Sequence, residues 1–219
     1  MWFWLLKWIV LGPIVRWFAR PEVIGLERIP RSGPVILAAN HRAEIDSLVL
    51  CLVLPRKPRF IAKAEYFTGT GLRGKVERWL CSVTGQIPVD RSGGRSAVAS
   101  LRAAEEVLRA GDVWAIYPEG TRSPDGQLHR GRTGVARVAL AVPGAAVVPV
   151  GITGTAEVDP RGRRGWRRGR VTVTFGKPMD LAAYDPEDPV APRLVTDALM
   201  AAIGELVGQE PREHYASRS

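Results

Sequence analysis

The chain has 219 residues, 46% hydrophobic and 24% charged, which argues against a disordered or fibrous protein and suits one globular domain with a real core. Its 31 Lys and Arg outweigh 22 Asp and Glu to leave a formal charge of +9, so an anionic partner is expected: nucleic acid, anionic lipid or a phosphorylated substrate. The two cysteines, Cys51 and Cys81, lie in apolar stretches without CxxC spacing, which argues against a disulfide framework or a zinc site and points to a reducing, cytosolic environment.

The first twenty residues, MWFWLLKWIVLGPIVRWFAR, hold four of the seven tryptophans, Trp2, Trp4, Trp8 and Trp17. Tryptophan concentrates at membrane interfaces. The segment lacks the charged start, clean apolar run and small-residue cleavage site of a secretory signal. A spanning helix needs roughly 20 apolar residues, whereas Lys7 and Arg16 interrupt this one and Gly12-Pro13 should kink it. Residues 1–20 therefore read as a short helix in the headgroup region, with Lys7, Arg16 and Arg20 reaching toward lipid phosphates. A tilted span and an ordinary buried helix are the alternatives.

Residues 21–210 alternate β-branched runs with helical stretches, the pattern of an α/β domain, a mixed sheet flanked by helices. In chain order the expected elements are a strand over Pro34–Ala39, a helix over Asp46–Leu54, a strand over Arg59–Ala62, a helix over Leu72–Val83 and a strand over Gln86–Val89. A helix over Arg95–Ala110 follows, with Gly111 in the position of a C-terminal cap, then a strand over Val113–Tyr117 and a helix over Thr133–Ala141. Strands over Ala146–Gly151 and Val171–Phe175 and a helix over Ala191–Val207 complete the domain. Residues 211–219 read as a flexible tail. RGRRGWRRGR, from Arg161 to Arg170, cannot bury a core; it reads as a solvated loop or a membrane-facing one. An RNA-binding reading would need exposed aromatics interleaved with basic strands elsewhere, and these are missing.

Of the three histidines, only His41 has neighbours that suggest chemistry. In AANHRAEIDSLVL it follows a hydrophobic strand, and Asp46 opens the next helix. If His41 sits in the turn and Asp46 in the first helical turn, the carboxylate can hold one imidazole nitrogen and leave the other free as a base. The alternative is a structural histidine at a helix start. The segment AIYPEGTRSPDG follows a second strand, and its Glu119-Gly120-Thr121-Arg122-Ser123 supplies an arginine, two hydroxyls and a bare backbone position for an oxygen-rich anion such as phosphate. Arg132 and the amides of GRTG can add to it.

NHRAEID resembles the HX4D motif, and YPEGTRS the glutamate-arginine motif, of the glycerophosphate and lysophosphatidic acid acyltransferases. GQIPVDR at Gly85–Arg91 is similar to the second motif of that family and VVPVGITG at Val147–Gly154 to its fourth, so the resemblance covers most of residues 34–154. It implies transfer of a fatty acyl group from acyl-CoA or acyl carrier protein to the free hydroxyl of lysophosphatidic acid, in one step and without an acyl-enzyme. It also implies that His41 is the general base, oriented by Asp46. By the same analogy Arg122 binds the acceptor phosphate, Arg91 reaches it too, Glu119 assists through a glycerol hydroxyl or by ordering the loop, and Gly120 and Thr121 complete the substrate contacts. No cofactor or metal is called for, and no nucleic acid partner is expected; the partners implied are membrane lipids and the two substrates, at the cytoplasmic face of the cell membrane. Glycerol 3-phosphate or another lysophospholipid is the alternative acceptor. The reading from another class is a noncatalytic basic protein that binds membranes or nucleic acid, and it leaves the pairing of the two motifs as coincidence.

Overall fold

The computed structural model describes residues 2–63, 70–71, 74–75, 78, 86–89, 96–163 and 165–217. The expected helix over 72–83 lies mostly outside these residues, and Arg91 lies wholly outside them. Among the described residues seven strands form one sheet: β1 (Glu22–Ile24), β2 (Val35–Ala39), β3 (Pro58–Lys63), β4 (Ile87–Val89), β5 (Val113–Ile116), β6 (Ala146–Thr153) and β7 (Thr172–Phe175), in the spatial order β1-β7-β6-β2-β5-β3-β4. Every neighbouring pair is parallel except β6 with β7, so the sheet is mixed as expected.

β2 lies at the centre, and all five of its residues are buried, as the unbroken apolar run VILAA requires of a strand covered on both faces. Its side chains alternate. Val35, Leu37 and Ala39 pack with Val15, Val49 and Leu52 on one face, from α2 (Leu11–Ala19) and α3 (Asp46–Val53). Ile36 and Ala38 pack on the other with Leu108, Val138 and Leu199, from α4 (Ser96–Arg109), α5 (Gly134–Ala141) and α7 (Ala191–Val207). A short α6 (Thr155–Val158) follows β6. Gly111 closes α4 with φ +77°: its N–H donates to Leu108 O at 2.8 Å and that of Asp112 to Val107 O at 3.1 Å, the paired bonds of a Schellman cap.

The N-terminal segment is a helix from Trp2 to Ala19, long and apolar enough by length and composition to cross a membrane. It starts as α1 (Trp2–Leu5), widens to a π turn over Leu6–Val10 and continues as α2. The distortion sits just before Pro13, whose ring and missing N–H disturb the preceding turn. A Cβ on Gly12 would stand 1.6 Å from the Lys7 carbonyl oxygen, so only glycine fits the widened turn. Lys7 departs from expectation: it is only 6% exposed and its ammonium donates to the Leu54 carbonyl, because it shares the inward stripe of Phe3, Val15 and Ala19 at intervals of four. Arg16 lies over the Trp8 ring at 4.8 Å, and Arg20 is exposed.

The tail also departs from expectation. Arg212 N–H donates to Leu128 O at 2.8 Å, Arg130 N–H to His214 O at 3.1 Å, and Ala216 is buried. Arg130 and Arg132 lie against the Tyr215 ring at 5.6 and 5.1 Å, so through Ala216 the tail is packed onto the 128–132 segment.

Candidate active site

β2 and β5 are parallel neighbours in a register that sets Ala38 opposite Ile116, so the loops that leave their C-terminal ends run side by side. One carries His41, the other Tyr117 to Ser123. Asn40 clips this edge to β6: its Nδ2 donates to Ile152 O at 2.8 Å and its Oδ1 accepts from Ile152 N–H at 2.7 Å. Its side chain thus bridges the end of β2 to β6.

Asp46 is the first residue of α3 and fully buried. Its Oδ2 accepts from His41 Nδ1 at 2.8 Å and from the backbone N–H groups of Arg42 at 2.7 Å and Ala43 at 3.0 Å. A carboxylate accepts, so the imidazole proton is assigned to Nδ1 and Nε2 is the free nitrogen. Tyr117 stacks on the imidazole, ring centroids 3.8 Å apart and planes 10° apart, while its hydroxyl bonds Ser47 Oγ at 2.8 Å. Burial raises the Tyr117 phenol well above its ordinary pKa, so it remains a neutral partner for Ser47. Sequence reading did not single out Tyr117; an aromatic closing a strand carries no sign that it will cover a histidine 76 positions earlier.

The 119–123 loop is tied to His41 at both backbone groups. His41 N–H donates to Glu119 Oε1 at 3.0 Å, and Ser123 N–H donates to His41 O at 2.8 Å. The other oxygen of Glu119 accepts from His129 N–H at 3.1 Å, and the side chain is 1% exposed. Of the two roles expected for Glu119, this geometry fits ordering the loop, since both oxygens face backbone amides. Burial raises its pKa, against the pull of the two backbone bonds and the histidines.

Gly120 adopts φ +77°, and a Cβ there would meet Arg132 Nε at 2.9 Å, so the Arg132 side chain packs on bare backbone. Gly120→Ala is expected to lower stability by about 1–2 kcal/mol from the left-handed backbone alone, checked by chemical denaturation beside the wild type. Thr121 is half-buried next to it. Arg122 Nη1 donates to Glu44 Oε1 at 2.8 Å, in a pair whose glutamate is largely exposed. Exposed pairs contribute about 0–1 kcal/mol, which a phosphate can displace.

His129 is a structural residue: it is buried, and its Nε2 bonds Asp125 Oδ1 at 2.9 Å. The Gln127 N–H, then His129, hold the Asp125 carboxyl well below the usual carboxylate range. Beyond α3, a small, mainly apolar recess opens between the N-terminal helix and that helix, lined among others by Phe3, Leu11, Val15, Leu48 and Leu52. Cys51 also lines it, its thiol pushed up to about 12 by burial, so this wall offers no thiolate nucleophile.

The His41–Asp46 pair and the Arg122 loop thus meet at the C-terminal ends of two central strands of a mixed α/β sheet. Residues 20–153 match the family model described as Acyltransferase, and the chain belongs to that family. It is 35% identical over 164 residues to a chloroplastic 1-acyl-sn-glycerol-3-phosphate acyltransferase of Arabidopsis thaliana, covering 74% of this chain and 44% of the relative. With the Bacillus subtilis 1-acyl-sn-glycerol-3-phosphate acyltransferase it shares 27% identity over 84% of this chain and 87% of the other. The crystal structure of the 1-acyl-sn-glycerophosphate acyltransferase from Thermotoga maritima superposes with a TM-score of 0.67 at 27% identity, over 91% of this chain and 80% of that one. The chain spans less than half the length of the plant chloroplast relatives it matches.

Proposed function

We propose that the protein transfers a fatty acyl group from acyl-CoA or acyl carrier protein to the free hydroxyl of 1-acylglycerol 3-phosphate, giving phosphatidic acid. The observation that carries this reading is the joining of His41 to both Asp46 and the Arg122 loop, through bonds of 2.8 to 3.0 Å. The relatives with this reaction in their names support the choice of substrate. His41 Nε2 takes the proton of the acceptor hydroxyl as the hydroxyl oxygen attacks the thioester carbonyl. Collapse of the tetrahedral intermediate breaks the carbon–sulfur bond, and the imidazolium returns the proton to the departing thiolate. Asp46 stabilises the imidazolium, and Arg122 leaves Glu44 to bind the acceptor phosphate, which holds the hydroxyl near His41. Neither a metal nor a cofactor enters these steps.

On this reading the N-terminal helix rests on a membrane with the tryptophan side in the headgroup layer. The protein is then peripheral or monotopic, at the cytoplasmic face. The test is free thiol release in detergent with acyl-CoA and acyl carrier protein donors. Release that requires lysophosphatidic acid is expected; equal release without any acceptor, or none with any glycerol phosphate acceptor, would sink the proposal.

A further inference from the structure

The arginine loop is fastened to the tryptophan helix. Gly169 N–H donates to Phe18 O and Val171 N–H to Ala19 O, both at 2.8 Å, so the segment runs along the C-terminal end of α2. Trp166 meets Phe18 edge-on, centroids 6.0 Å apart, and the Arg168 guanidinium lies 4.0 Å over the Trp17 ring. The loop therefore cannot drift independently of the helix. Trp2, Trp8, Ile9, Ile14 and Trp17 are exposed on that helix, and Arg163, Arg167, Arg168 and Arg170 are exposed beside its end. No acidic residue occurs between Asp159 and Asp180 to offset them.

We propose that this joined surface, tryptophan helix plus arginine loop, docks on an anionic bilayer and that the loop makes binding depend on the membrane's negative charge. The inference rests on the reading that the helix lies on a membrane, and it assigns the loop a role that reading leaves open. Apolar and aromatic side chains alone partition into any bilayer interface, neutral or charged. Arginines held within the Debye length of about 8 Å respond to anionic headgroups only, each adding roughly fivefold to partitioning. Trp17 belongs to both halves, since the ring that enters the interface also carries Arg168. The surface favours a bilayer over RNA because Ile9, Val10 and Ile14 are exposed among the tryptophans, aliphatic side chains that an interface accepts and on which bases do not stack.

The test uses the full chain without donor or acceptor, sedimented with vesicles of phosphatidylcholine alone or with one third phosphatidylglycerol. Wild type is expected to bind the anionic vesicles more tightly, with the difference lost at high salt. Arg163→Ala with Arg167→Ala is expected to weaken anionic binding roughly 25-fold by the same per-arginine factor and leave neutral binding unchanged. Equal loss on both vesicles, or no loss on the anionic ones, overturns the role of the loop alone. Wild type that binds neither vesicle overturns the membrane reading as well, and tighter binding to a single-stranded RNA oligonucleotide than to anionic vesicles overturns the choice of partner. None of these outcomes depends on whether acyl transfer occurs, which the thiol assay decides separately.

Discussion

His41→Ala is expected to lower turnover by about 10² to 10⁴, the contribution of a positioned general base. On the proposed mechanism the loss should fall on kcat, because the imidazole would act on the reacting hydroxyl while Arg122 would hold the acceptor phosphate. The fold should survive. Asp46 keeps the Arg42 and Ala43 amides on its Oδ2, Glu119 still receives the backbone N–H of residue 41, and Ser123 still donates to its carbonyl. What is lost in packing is the stack on Tyr117, beside a side chain already 17% exposed. Thiol release at saturating acceptor, beside a denaturation curve, separates the outcomes. A variant that folds and keeps a tenth or more of wild-type turnover would remove His41 from the chemistry and leave Asp46 as a helix-start carboxylate with a structural histidine.

What the sequence made legible, and what it hid, divides by range. β2, β5 and β6 are apolar runs long enough to announce buried strands, and Ala191–Val207 appears residue for residue as the helix its composition predicts. The His41–Asp46 pair spans five positions and needs only a turn followed by a helix start, so local rules reach it. β1 escaped because it has three residues, one of them Glu22, at the edge of the sheet, too short for alternation to register. Lys7 was misplaced because composition marks a lysine between tryptophans as interfacial, whereas its bond partner, Leu54, lies 47 positions on. The inward setting of Glu119 was hidden for the same reason: its partner at His41 is 78 positions away, and only the pairing of β2 with β5 brings the two together. The tail read as flexible because polar composition is silent about packing onto 128–132.

Glu119→Ala is expected to damage both stability and activity, and the coupling between them tests what the residue does. Removal of the carboxylate leaves the N–H groups of His41 and His129 without their acceptor in a buried site, at about 1–3 kcal/mol for each unsatisfied donor. Stability measured by urea denaturation should therefore drop by roughly 2–6 kcal/mol. Turnover should fall about 100-fold, because a shift near 1 Å in a catalytic group has that effect, and the bond to Glu119 helps fix the His41 backbone. The pH dependence carries a sign. Burial raises the Glu119 pKa above its ordinary 4.5, so the folded chain holds this proton more tightly than the unfolded chain. The contribution tied to that proton is fully present below the unfolded value and declines as pH rises through the folded one. Alanine has no such group, so the stability gap between wild type and variant should narrow as pH climbs from 4.5 through the raised pKa. Large loss of activity with an unchanged denaturation midpoint would contradict the loop-ordering role and place the carboxylate on the substrate.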